Sequence, residues 1–245
     1  TPDNWMSYAD RNTLILELTE LQIHYINIHI AKKYFKKVGS SFTWYLIENI
    51  ESYKDIEIEG IWKKKLYKSV VRSERRHFIP LYYTDLIQNI INKTIDKSGE
   101  KFVVETSSDL HKYTKKQFIS NERDEIYKYK LIHTPKQTVW SSRPHKFQEG
   151  YKVFISTTSY YSTFVDNCGM TQSVAFIRCN SKKQAKNISS VLNHPLYTFI
   201  NNICRYGNFN NIRIMQKFPY CEDYDNVYKK FGITQEEIEF IQANV

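Results

Sequence analysis

Residues 31–48, Ala-Lys-Lys-Tyr-Phe-Lys-Lys-Val-Gly-Ser-Ser-Phe-Thr-Trp-Tyr-Leu-Ile-Glu, constrain the chain more than any other stretch. A cationic segment centred on Phe35 runs straight into β-branched and aromatic residues that favour an extended backbone. Residues 41–47 are therefore predicted to be a largely buried strand, and residues 22–28 the strand before it. The lysines then occupy the connection, with Gly39 free of a Cβ in the turn. Ahead of both, Asp10 is placed to cap a helix whose apolar face is Leu14, Leu18 and Leu21, spaced four and three residues apart. A strand fed by a helix requires neighbours to pair with. None precedes it in this sequence, so the opening of the chain reads as part of a larger sheet.

Beyond Tyr53 the texture becomes charge-rich and irregular. Residues 55–60 are predicted to be an edge strand, and residues 82–95 a helix with Leu86, Ile90 and Ile91 on one side. Short β-like runs at 102–105, 127–132, 151–157 and 173–177 alternate with polar turns. Ser181 opens a helix through about Leu192, and Pro195 starts a second one ending near Arg205. Thr234 and Glu237 have the spacing of a capping box for the last helix. The sequence contains no internal repeat and no low-complexity linker.

Lys and Arg number 35 against 26 Asp and Glu, a formal net charge of +9 that attracts polyanions such as phosphate backbones. A compositional bias toward Lys, Asn and Ile explains the charge equally well. The 19 Tyr, 14 Phe and 4 Trp exceed the needs of a core of this size, and aromatic faces stack on unpaired bases while lysines follow the backbone. A chain of 245 residues can bury a full core as one large domain or two small ones. No apolar run reaches the length of a membrane span, and the N-terminus lacks the pattern of a signal peptide, so the expected location is cytoplasmic with no membrane partner. Cys168, Cys179, Cys204 and Cys221 are too dispersed for a metal knuckle and too few for a disulfide scaffold. They are expected to be reduced packing residues, and no metal is expected.

Taken together, several segments resemble a known family. Thr-Pro-Asp-Asn-Trp-Met at 1–6, the helix, the strand and Lys-Tyr-Phe-Lys-Lys-Val-Gly-Ser-Ser-Phe at 33–42 are similar to the last third of the catalytic domain of adenine-specific DNA methyltransferases of the Taq type. There a β-hairpin carrying Phe-x-x-Val closes a Rossmann-like sheet. The second half of the chain resembles that family's target-recognition domain, through residues 150–159, 166–177, 181–205 and 215–219. The tail at 228–241 is similar to the closing helix of many restriction–modification enzymes. The resemblance implies an α/β chain: an incomplete Rossmann-like methyltransferase sheet over 1–53, then a mixed α/β DNA target-recognition domain with C-terminal helices over 54–245. Its implied function is recognition of a short double-stranded DNA sequence for an adenine-N6 methyltransferase or a fused restriction–modification enzyme.

Such enzymes take a methyl group from S-adenosylmethionine, held by a Gly-containing loop, and grip the acceptor amine with an Asn/Asp-Pro-Pro-Tyr/Phe motif. This sequence has no Pro-Pro pair, and none of its seven glycines stands in a strand–Gly-x-Gly–helix setting. The 245 residues alone are therefore expected to be inactive, with no catalytic residue of their own. The cofactor would belong to a complete enzyme whose upstream catalytic half lies in the same or a separate polypeptide.

Base capture is the chemistry left to this chain, because an enzyme acting on adenine within a duplex must extrude the base and stack it against an aromatic. The resemblance places Phe35 at the family's position for that aromatic. Residue type alone makes it a core residue of the hairpin, but Lys33, Lys36 and Lys37, with Lys32 one step further, make deep burial costly. For duplex contacts, the loop Trp140-Ser141-Ser142-Arg143-Pro144-His145-Lys146 offers donors for phosphate or guanine edges. Thr158, Ser159, Tyr160 and Tyr161 end a hydroxyl-rich strand that is either a recognition loop or an ordinary polar edge. Asp166, Gly169 and Thr171 resemble the following turn, where Gly169 serves geometry. Arg205, Asn208, Asn210 and Asn211 lie between two helices, to contact DNA or to cap. Two other readings remain: a stand-alone DNA-binding or nuclease-like protein, and a protein-interaction subunit with a basic surface. Glu57, Glu59 and Lys63–Lys65 are faintly similar to a nuclease magnesium site, but in a chain one-quarter charged they read as a solvated strand.

Overall fold

A computed structural model describes residues 1–8, 13–35, 37–38, 42–158 and 160–245, and of Asn208 only the backbone. The expected cap at Asp10 and the turn at Gly39 lie outside the described residues. The chain is mixed α/β, and among the described residues three four-stranded sheets are divided between two compact units. One unit comprises Thr1–Lys97 and Ile200–Ile214, the other Ser98–Phe199 and Met215–Val245. The boundary expected after Tyr53 falls inside the first unit. The strands that follow Tyr53 hydrogen-bond to the strands before it, which carries the first unit on to Lys97.

In the first unit, α1 (Thr13–Leu18) leads into β1 (Leu21–Ile28), which pairs antiparallel with β2 (Thr43–Glu51). On its other side β1 pairs in parallel with β3 (Ile56–Trp62), and β3 pairs antiparallel with β4 (Lys65–Val71), giving the order β2-β1-β3-β4. The predicted edge strand at 55–60 is thus interior: Ile56 and Ile58 alternate with Glu57 and Glu59, so one face of β3 is buried while its backbone bonds on both sides. Ile23, Ile26, Ile28, Ile56, Ile58 and Val71 form the buried face. Tyr67 occupies the space where a Cβ on Gly60 would stand. The opposite face carries Trp44, Leu46, Leu66 and Val70, all about half exposed or more, with the Tyr25 ring 4.7 Å from that of Trp44.

Helix α2 (Asp85–Lys93) starts where the Thr84 hydroxyl accepts from the Ile87 amide, 3.3 Å away. Its buried residues include Ile87, Ile90 and Ile91; Leu86, expected inside, is only half-buried, which rotates the apolar face by one position.

The second unit holds two sheets. β9 (Lys152–Ser156) lies between β10 (Thr163–Asp166) and β12 (Val174–Arg178), with the two-residue β5 (Glu105–Thr106) beyond β12. The other sheet runs β11 (Gly169–Met170), β7 (Tyr129–Thr134), β8 (Gln137–Ser141), β6 (Ile119–Ser120). All five residues of β9 are buried, and Phe154 packs with Ile132, Cys168, Met170, Val174 and Phe176. Helix α3 (Lys182–Leu192) is capped by Ser181 as expected, and α4 (Pro195–Ile203) begins at Pro195. After the short α5 (Ile212–Met215) and α6 (Val227–Phe231), α7 (Gln235–Ala243) starts with the Thr234–Glu237 capping box complete. The four cysteines are free thiols, three of them buried. Among the described residues no helix is long and apolar enough to cross a membrane.

Candidate nucleic-acid interface

The connection between β1 and β2 is built from short turns. His29 takes a left-handed backbone conformation (φ 69°), after which Ile30–Tyr34 form a 3-10 helix. The amides of Lys32, Phe35 and Val38 each donate to the carbonyl three residues back. Two anchors hold the segment. The His29 amide donates to the Phe42 carbonyl at 2.9 Å, and His29 Nε2 lies 3.2 Å from Oδ2 of Asp3, a buried carboxylate.

The segment presents its side chains outward. Phe35 is 44% exposed, with its ring stacked on Phe42 at 4.2 Å between centroids and 20° between planes. Lys33 and Lys37 are exposed, the Lys33 ammonium 5.0 Å from the Tyr34 ring. Lys36 lies outside the described residues. Phe35 is therefore not the core residue its residue type suggested, and Phe42, half-buried, is the partner that the sequence reading did not single out.

In the second unit the loop after β8 turns inward. Asp109 gathers it: Arg143 Nη2 donates to Oδ1 at 2.8 Å, and the Lys146 amide donates to Oδ2 at 2.9 Å. The Arg143 hydrogen bond holds the Asp109 carboxyl below its usual range. His145 is fully buried in its side chain; Nδ1 accepts from the Phe147 amide at 2.9 Å and Nε2 faces the Ser107 hydroxyl at 2.9 Å. An accepting Nδ1 leaves the proton of the neutral ring on Nε2, pointing at Ser107. Burial pushes the His145 imidazole down to about 4. Ser141 is buried, its hydroxyl donating to the Arg143 carbonyl at 2.7 Å, while the Ser142 amide donates to the Phe118 carbonyl at 3.0 Å. Of this loop's candidates, the Lys146 side chain is exposed, the Arg143 side chain is 39% exposed while paired with Asp109, and Ser141 and His145 are buried. Gly169 packs against it, since a Cβ there would stand 2.6 Å from that of His145, the geometric role expected of it.

The remaining candidates divide the same way. Thr158 is exposed and Tyr160 is 84% exposed, beside a cavity of about 410 Å3 lined by Thr134, Pro135, Lys136 and Ser162. Ser159 lies outside the described residues. The Tyr161 hydroxyl donates to the Leu192 carbonyl at 2.9 Å. Thr171 is fully buried, its hydroxyl 2.7 Å from His133 Nδ1, and Asp166 pairs with Lys130 at 2.5 Å. In the first unit Asn210 is buried and accepts from Asn201 at 2.9 Å. Asn211 caps α5 by accepting from the Arg213 amide at 2.9 Å, and donates to the Tyr8 carbonyl at 3.2 Å. Arg205 is half-buried, its amide bonded to the Asn202 carbonyl at 3.3 Å. The side chain of Asn208 is outside the described set.

The structure thus brings Lys33, Phe35 and Lys37 together on one turn, and Ser141, Arg143, His145 and Lys146 around Asp109. Ser107 and Asp109 went unnoticed in the sequence because their partners lie 34 to 38 residues away. No protein-family model matches the chain, and no curated protein matches its sequence.

Proposed function

We propose that this chain recognises double-stranded DNA as the C-terminal part of an adenine-N6 DNA methyltransferase or fused restriction–modification enzyme, with Phe35 stacking on the extruded adenine. The observation that carries the reading is the exposed Phe35 ring among exposed lysines on the β1–β2 connection. A solvent-facing aromatic flanked by cations suits a ligand offering both a flat face and phosphates. In this reading a catalytic half outside these residues supplies S-adenosylmethionine and the Asn-Pro-Pro-Tyr-type motif, and any further strands of its sheet would join at β2 or β4, because β1 is already paired on both sides. The half-exposed apolar face of Trp44, Leu46, Leu66 and Val70 supports a polypeptide partner for the first unit. Within the recognition unit, Lys146, Thr158 and Tyr160 are exposed, and Arg143 is partly so.

The test is selection from a pool of random duplexes at moderate salt, followed by footprinting of the winners. A recovered common sequence with a protected footprint supports the reading. Binding that ranks no duplex above random DNA removes it.

A further inference from the structure

We propose that Phe42 is a positioning residue: it fixes the Phe35 ring so that the outer face of Phe35 takes one unpaired nucleobase, giving a three-ring stack of Phe42, Phe35 and base. The inference rests on the reading of Phe35 as the base-stacking residue and adds the residue that makes such stacking effective.

Phe42 is tied to distant parts of the chain, whereas the backbone of Phe35 bonds to Lys32 and Val38 within its own turn. Phe42 forms a β-bridge with Pro2, and its carbonyl accepts from the His29 amide at 2.9 Å. Next to it, Thr43 is held from the other side: its amide donates to the Thr1 carbonyl at 2.9 Å, and the Trp5 indole donates to its hydroxyl at 2.7 Å. Phe35, by contrast, sits on the open side of the connection, 44% exposed. An exposed phenyl ring without a neighbour samples several rotamers, and a ligand that needs one of them must overcome that freedom. Stacking on Phe42 at 4.2 Å selects the orientation before the ligand arrives.

The surroundings match the ligand class. The Lys32 ammonium stands 5.9 Å from the Phe42 centroid and donates to the Val38 carbonyl, closing the turn across the segment that carries Phe35. Lys33 and Lys37 are exposed on the same turn. Flat neutral rings stack on phenyl faces, and adjacent cations suit the phosphates on either side of the base.

The probe is a fluorescein-labelled duplex carrying one unpaired adenine, compared by anisotropy with the same duplex fully paired. Wild type is expected to favour the unpaired adenine by about tenfold, within the range that stacking on one aromatic supplies. Phe42→Leu keeps apolar bulk but loses the flat surface, and should cut that preference about threefold to fivefold while leaving affinity for the paired duplex unchanged. Phe42→Tyr should retain the wild-type ratio. A residue that only packs would leave the ratio alone, so an intact ratio in Phe42→Leu overturns the proposal. Should the leucine chain lose its fold, the tyrosine chain decides: paired-duplex affinity intact with the preference gone also overturns it. The parent reading has its own control, because Phe35→Ala with an unchanged ratio removes Phe35 from base stacking altogether. Loss of the ratio in Phe35→Ala but not in Phe42→Leu removes Phe42 alone.

Discussion

The turn that carries Phe35 and the loop that carries Arg143 have similar compositions and opposite fates. Both join lysine or arginine to an aromatic and sit beside a β-strand. In the second unit Asp109 accepts from Arg143 and from the Lys146 amide, and Ser107 meets His145, so the loop's backbone, its guanidinium and its imidazole are held by internal bonds while the Lys146 ammonium stays in solvent. In the first unit the nearby carboxylate, Asp3, engages His29 and leaves Lys33 and Lys37 exposed. Loop chemistry therefore follows from where acceptors are supplied, not from how many cations the loop contains. A loop held from within serves as scaffold; one that keeps its cations in solvent retains them for a partner.

The largest effect that would break this contrast is acidification. His145 has its imidazole pushed from 6.5 to about 4 by burial, so the unfolded chain takes up the proton more readily over that interval. Its contribution to stability is complete above about pH 6.5 and is lost as pH falls toward 4, by on the order of 3 kcal/mol. Urea unfolding across that range should show the loss, and His145→Gln should show correspondingly less of it. A His145→Gln chain with the wild-type pH dependence would contradict the buried neutral ring.

Asp109→Ala should come next. It removes the carboxylate that accepts from Arg143 and from the Lys146 amide, and because Arg143 keeps its bonds to the carbonyls of residue 109 and Pro144 the second unit is expected to lose about 2 kcal/mol in denaturant unfolding. Ser107→Ala leaves the His145 Nε2 proton without its partner, for about 1–2 kcal/mol. Replacing Lys33 and Lys37 with alanine should change stability by less than about 0.5 kcal/mol, because neither holds the fold. The same double variant should instead lower the slope of log affinity for duplex DNA against log salt by about 2. Matching stability losses in the two loops would erase the distinction between them.

Local signals in the sequence marked the elements whose cause is local. The Ser181 and Thr234 caps, the start of α4 at Pro195 and the run that forms β1 each depend on neighbours a few residues away. Pairing was less legible. β3 reads as an edge strand until β4 is seen to cover its far side, and nothing near Ile56 announces its parallel match to β1. Site residues divide similarly. The exposure of Phe35 follows from the lysines around it, whereas the burial of His145 depends on Ser107 and the capture of Arg143 on Asp109, partners that meet only after the second unit has folded.

Photocrosslinking reads out whether the turn around Phe35 meets DNA. Duplexes substituted with bromodeoxyuridine are irradiated with the wild-type chain, and crosslinked peptides are mapped by mass spectrometry. Crosslinks within residues 31–38, reduced by Phe35→Ala, are the expected result. Efficient crosslinking confined to other segments, with residues 31–38 unmodified, would contradict the account.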